Sequence, residues 1–234
     1  AISNLMLWYE TSLEKSFLKS EAEDGTEINT WFDINTQSPT KFNATKHNGT
    51  TTYSENVFNK VIPGVYFNSG SSLEFDSNGL SGTSFTIFIV EKKESTHSGD
   101  NYILGGVTDS ASNSLNISYD SDTSINAGIH SQTVNFASGA GFSPIIHSVI
   151  LSKKSGLKYW ENGGVTPEAS NDAATTLFDS DGTPVRIGNF LNNTTANSYT
   201  GHVAEIIIFT RALRKEERQE IEGYLGQKYK ITIS

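Results

Sequence analysis

Two acidic loops, one tryptophan-bearing turn and five scattered histidines are where this chain carries residues able to do chemistry. Tyr119-Asp-Ser-Asp-Thr123 and Phe178-Asp-Ser-Asp-Gly-Thr183 present carboxylates on turns. Calcium takes such oxygens in sets of roughly six to eight. The second loop begins like an EF-hand, but the twelfth position from Asp179 is Phe190, not Glu, so it is no EF-hand. A calcium site built on Asp179 and Asp181 is the expectation; the competing reading is a solvated turn in which Asp caps its own backbone. Sugar recognition needs an aromatic face flanked by hydrogen-bonding groups. Trp160, beside Tyr159 and followed by Glu161-Asn162, offers that combination, so Trp160 and Asn162 are the candidate ligand-binding residues. Tyr53, Tyr102 and Tyr199 are possible helpers, while Trp8 and Trp31 sit in apolar motifs that read as core.

Nucleophilic and metal chemistry find little support. His47, His97, His130, His147 and His202 lack metal-ligand spacing, no Gly-x-Ser-x-Gly elbow is present, and there is no Walker or dinucleotide loop. Cysteine is absent, which removes thiolate sites, cysteine nucleophiles and a disulfide framework together.

The elements that must position these residues are strands. Asp24-Gly25, Asn48-Gly49, Asn78-Gly79, Asn162-Gly163 and Asp181-Gly182 are tight-turn signals. Between them lie short apolar runs: Leu5–Tyr9, Val65–Phe67 paired with Leu73–Phe75, Tyr102–Leu104, Leu115–Tyr119, Ile145–Leu151 and Val185–Asn189. Ser84–Val90 becomes apolar on both faces, as a central strand does. Many short strands separated by turns predict an antiparallel sandwich in a single domain, 1–234. Thr36–Glu55 reads as a long surface excursion, and Glu10–Glu23 has room for a helical turn.

The period changes after Leu213. Ile221, Tyr224, Leu225 and Tyr229 fall on one helical face, with Lys215, Glu216, Arg218, Glu220 and Glu222 turned to water. The spacing predicts a C-terminal helix over about 214–229, laid on the sheet that ends in Val203–Phe209.

At 234 residues, burial of about 70% of the unfolded surface needs no metal or disulfide staple. A formal charge of −9 leaves no basic stripe for phosphates, so nucleic acid is not an expected partner. No apolar run is long enough to cross a bilayer. The chain opens at Ala1 with neither a start methionine nor a signal-like stretch, and a removed or truncated anchor segment is expected before it.

Motif by motif, the chain resembles the bacterial laminin G-like domains of the concanavalin A-like lectin/glucanase superfamily. Leu5-Met-Leu-Trp-Tyr-Glu10 looks like their first strand, and Ile28-Asn-Thr-Trp-Phe-Asp33 is similar to the next element, continued by Asn43-Ala44. Pro63-Gly-Val-Tyr-Phe67, Ser84–Val90, Tyr159-Trp-Glu-Asn-Gly163, Arg186-Ile-Gly188 and the tail 199–231 complete the likeness. It implies a jelly-roll β-sandwich of about a dozen strands with a terminal helix. The chain departs from the pattern where Arg214 replaces the usual serine before the helix. Gly223 and Gly226 are expected to weaken that helix by roughly 1 kcal/mol each relative to Ala.

Glucanases of the superfamily aim paired carboxylates into one cleft from alternate positions of a strand. No stretch here has that spacing. Glu205 is followed by Ile-Ile-Ile-Phe, and Glu91 and Glu94 would face opposite ways. Glu205 reads as a structural carboxylate, held by Arg or backbone N–H groups. The expected function is therefore a non-enzymatic extracellular or cell-surface module that binds glycan or a surface protein through rim loops, with calcium as the sole candidate cofactor. A structural pilin-like subunit and a divergent glycoside hydrolase are the alternatives.

Overall fold

The computed structural model describes residues 2–68, 70–96, 98–108, 113–130, 132–139, 141–191 and 197–234, so His97 lies outside it. Sixteen strands are present among them. In chain order they are β1 (Leu5–Glu10), β2 (Thr30–Trp31), β3 (Ala44–Asn48), β4 (Thr52–Phe58), β5 (Ile62–Phe67), β6 (Ser72–Asp76), β7 (Phe85–Lys93) and β8 (Ser98–Gly106). Then follow β9 (Leu115–Ser121), β10 (Ser124–Ile129), β11 (Gln132–Ala137), β12 (Ile145–Ser152), β13 (Gly156–Glu161), β14 (Ala169–Asn171), β15 (Pro184–Ile187) and β16 (Gly201–Phe209). A single helix, α1 (Lys215–Tyr229), closes the order.

The strands form two eight-stranded antiparallel sheets. The first runs β14-β13-β12-β7-β16-β5-β4, with β1 also paired to β16. The second runs β11-β10-β9-β8-β15-β6-β3-β2. Alternation builds the core between them: Ile87, Ile89, Val149, Ile206 and Ile208 of the first sheet meet Leu104, Ile117, Ile125 and Val185 of the second.

The first sheet is apolar on its outer face too, because α1 covers it. Phe88, Val90, Ile146 and Ile207 pack there with Ile221, Leu225 and Tyr229. Burying Ile221 and Leu225 is worth roughly 1.5–3 kcal/mol each. This is why Ser84–Val90 is apolar on both faces: β7 lies between β12 and β16, with the core on one side and the helix on the other.

Several details depart from the sequence expectation. Val65–Phe67 and Leu73–Phe75 do not pair; β5 joins the first sheet and β6 the second. Thr36–Glu55 is not one excursion, since β3 and the start of β4 fall inside it and pair with β6 and β5. Glu10–Glu23 holds two short 3-10 turns, Glu14–Ser16 and Lys19–Glu21. On α1, Tyr224 is 41% exposed, whereas Arg218 and Glu222 are buried at 1% and 0%. These two charges are satisfied by each other and by the Gly164 carbonyl, which accepts from Arg218 Nη2 at 2.6 Å. A buried ion pair one helical turn apart imitates a solvated one in sequence.

The helix start is stabilised without serine. Glu217 accepts the Arg214 backbone N–H at 3.0 Å and both Arg211 Nη atoms at 2.8 Å. Those hydrogen bonds, led by Arg211, hold its carboxyl well below the usual carboxylate range. Gly226 has a packing reason: a Cβ there would meet Ile233 Cγ1 at 2.6 Å, because the tail folds back over the helix.

Candidate functional site

Among the described residues no helix covers the outer face of the second sheet, and over β8–β11 that face carries a cleft of about 500 Å³. That volume lies within the roughly 300–1,000 Å³ of small-ligand sites. Strand alternation makes it. In β9, Leu115, Ile117 and Tyr119 point into the core, leaving Asn116, Ser118 and Asp120 on the cleft side. Tyr102, Ser118, Asn126 and Asn135 stand opposite one another across β8, β9, β10 and β11, forming one polar row. Asn126 Nδ2 donates to Asn135 Oδ1 at 2.6 Å. The buried Oδ1 atoms of Asn116 and Asn126 have no partner among the described residues.

One end of the cleft is aromatic. Tyr102 and Phe190 stack with centroids 4.3 Å apart and planes 16° from parallel. Gly105 makes this possible: a Cβ there would lie 2.4 Å from the Asn189 carbonyl oxygen and 2.8 Å from Phe190 Cβ. Both rings are largely buried, so they form an end wall, not an open platform. Asp100 sits beside them, with the Tyr102 hydroxyl 3.4 Å from its Oδ2. The chemistry on offer is a fixed array of amide, hydroxyl and carboxylate groups, suited to hydrogen-bonding a polyhydroxylated ligand.

The floor is braced from beneath. Tyr119, on the core side of β9, donates to Glu91 of β7 at 2.6 Å, and Tyr199 donates to the same carboxylate. His147 Nε2 lies 3.1 Å from Glu91 Oε1, and its Nδ1 is 2.8 Å from the Tyr159 hydroxyl. Burial, reinforced by charge on Glu91, pushes the Tyr119 and Tyr199 phenols well above their ordinary range, so they remain donors. This buried network ties the two sheets together directly under the cleft.

The residues singled out in sequence lie elsewhere. Trp160 is only 6% exposed, and the Arg218 guanidinium covers its ring at 4.0 Å, so it is not an exposed platform. The descent of α1 onto β13 buries it. Asn162 holds a turn: its Oδ1 accepts Ile146 N–H at 2.9 Å, at a φ of 55°. Asp179 Oδ1 accepts from Ser81 Oγ at 3.0 Å and from the Asp181 backbone N–H at 3.2 Å, the pattern of a self-capping turn. Among the described residues no three His, Asp or Glu side chains converge on a metal position.

Glu205 is held by Trp8 Nε1, Lys228 and Tyr229, each at 2.7 Å, and not by arginine. Of the possible aromatic helpers, Tyr102 lines the cleft, whereas Tyr199 is buried and Tyr53 packs against Phe17. The cleft lies on the sheet face, with Ser114, His130, Phe190, Leu191 and Asn197 of the connecting segments completing its lining. Its signal in sequence was the small polar set Asn116, Ser118, Asp120 and Asn126 at alternate positions of successive strands.

No family model matches the chain, and no curated protein matches it in sequence. Solved structures are similar in fold. Domain 4 of AbnA, a GH43 extracellular arabinanase from Geobacillus stearothermophilus, in complex with arabinotriose, aligns over 94% of this chain and 98% of that one, at TM-score 0.63 and 13% identity. Trypanosoma rangeli sialidase in complex with sialic acid aligns at TM-score 0.64 and 14% identity, covering 100% of this chain and 34% of that one. The binding domain of Botulinum Neurotoxin DC in complex with SialylT aligns at TM-score 0.65 and 13% identity, over 95% of this chain and 52% of that one. The chain thus spans about a third of the sialidase chains it matches. At these identities the likeness is one of fold: an antiparallel β-sandwich of jelly-roll type.

Proposed function

We propose that this chain is a non-enzymatic glycan-binding module of laminin G-like type, acting outside the cytoplasm, and that it binds on the β8–β11 face. The observation that carries this is the polar row Tyr102–Ser118–Asn126–Asn135 beneath an aromatic end wall, with unpartnered amide oxygens at Asn116 and Asn126. Such a surface has hydrogen bonds to give and little apolar area to bury, which suits sugar hydroxyls better than a peptide side chain. Two neighbours in fold, the arabinanase domain and the toxin binding domain, were solved in complex with arabinotriose and with SialylT, which supports a glycan partner. No helix among the described residues is long and apolar enough to cross a membrane.

A glycan array of the purified chain, with and without calcium, tests this directly. Binding should be retained in chelator and should fall at least tenfold in N126A. Binding that survives N126A undiminished, or that requires calcium, would move the site away from this face.

One observation favours a second reading, a divergent glycoside hydrolase: Asp100 and Asp120 face the same cleft from adjacent strands. Release of reducing ends that is lost in both D100N and D120N would establish it in place of the first.

A further inference from the structure

The cleft is built to refuse negative charge. Asp100 and Asp120 are the acidic side chains among the described lining residues, which also include His130 and Tyr102 but no lysine or arginine. Two cations of neighbouring strands are held by other protein groups, Arg186 by the carbonyl of the lining residue Leu191. Arg186, on the neighbouring β15, donates Nη1 to the Leu191 carbonyl and lies 3.7 Å from Glu74. Lys93 is buried, donating to the Asp122 carbonyl at 2.6 Å and standing 4.6 Å from the Tyr119 ring centre. The chain's formal charge of −9 adds a repulsive background.

From this geometry we infer that the ligand is a neutral oligosaccharide, and that sialylated, uronic or sulfated glycans are excluded by the Asp100–Asp120 pair. The inference rests on the glycan-binding reading and sharpens it. A carboxylate placed among Asn116, Ser118 and Asn126 would meet two aspartates and no compensating cation. Rejection by like charge discriminates more sharply than any contact the polar row makes with hydroxyls common to both sugars. On this inference, the sialic acid and SialylT of the fold neighbours' complexes are not expected ligands of this chain.

The test uses a matched pair, a neutral oligosaccharide chosen from the array and the same oligosaccharide bearing one terminal sialic acid, titrated calorimetrically into the intact chain at low and at physiological salt. The neutral sugar should bind at least tenfold more tightly at low salt. Salt should narrow the ratio by screening, and the D100N/D120N variant should bring it towards one. Equal or tighter binding of the sialylated partner to the parent chain overturns the charge inference while leaving the glycan reading in place. An unchanged ratio in D100N/D120N also overturns it. If no glycan binds under any condition, both readings fall together.

Discussion

Replacing Lys228 by methionine should undock α1 from its sheet, and the structure sets the size of the effect. Lys228 Nζ lies 2.6 Å from Glu10 Oε1 and 2.7 Å from Glu205 Oε2. Those two glutamates are direct cross-strand partners in β1 and β16, and both are buried. K228M leaves two adjacent carboxylates without their cation. Removing one partner of a buried pair costs about 3–5 kcal/mol. Lys228 retains some solvent contact, with its side chain 14% exposed, so the lower end, about 3 kcal/mol, applies.

The pH dependence gives a second readout. Burial already pushes the Glu205 carboxyl up, against the opposing pull of Lys228. Without Lys228 it rises further. An acid whose folded pKa is raised carries its full cost above that pKa and is relieved as pH falls through it. The deficit of K228M should therefore be larger at pH 7 than at pH 5. Urea unfolding followed by tryptophan fluorescence reports it locally, since Trp8 Nε1 bonds Glu205. Adding E205Q to K228M should recover part of the loss, as coupled neighbours do. A deficit under about 1 kcal/mol at pH 7, or one that grows on acidification, would refute the reasoning.

Two glycines of α1 should respond in opposite directions. G223A meets nothing within 4 Å and should stabilise by about 1 kcal/mol, whereas G226A must displace Ile233 and should cost about 1–3 kcal/mol; thermal unfolding distinguishes them. Burial depresses the His202 imidazole to about 4, despite Glu94 at 3.3 Å from its Nδ1 and with Lys92 adding to the depression. The folded state therefore resists a proton that the unfolded chain accepts, and this contribution to stability is lost progressively from pH 6.5 down to about 4. H202Q should flatten that slope in urea midpoints; parallel slopes for the two proteins would show that other groups set it.

The scaffold was legible in the sequence because its signals are local. Turn dipeptides, the two-faced apolar run of β7 and the change of period after Leu213 each depend on a few neighbouring residues. The errors arose where tertiary context decides. Arg218 and Glu222 have the spacing of a solvated ion pair and become buried because α1 lies on the outer face of the first sheet, where the Gly164 carbonyl comes within reach of the guanidinium. The same packing places Arg218 over Trp160 and removes the ring most suited by composition to meet a sugar. Both errors have one cause: helical periodicity gives the face of a helix but not how deep it sits.

The cleft illustrates the converse. None of its residues is unusual alone, since Asn116, Ser118, Asp120 and Asn126 are what any solvated strand face carries. They become a site through register, which aligns Tyr102 with Ser118, Asn126 and Asn135 across four strands. They also need the missing Cβ of Gly105, which admits Phe190 against Tyr102. Register in turn is fixed from the buried side. A slip of one residue in β9 would put Asn116, Ser118 and Asp120 into the core and Ile117 and Tyr119 into the cleft. It would also strip Glu91 of its Tyr119 hydroxyl, leaving a buried carboxylate short of one donor. The groups that line the cleft are thus held in place by apolar and hydrogen-bonding groups on the opposite face of the sheet. A variant weakening the Glu91 network should therefore lose discrimination between ligands before it loses the fold.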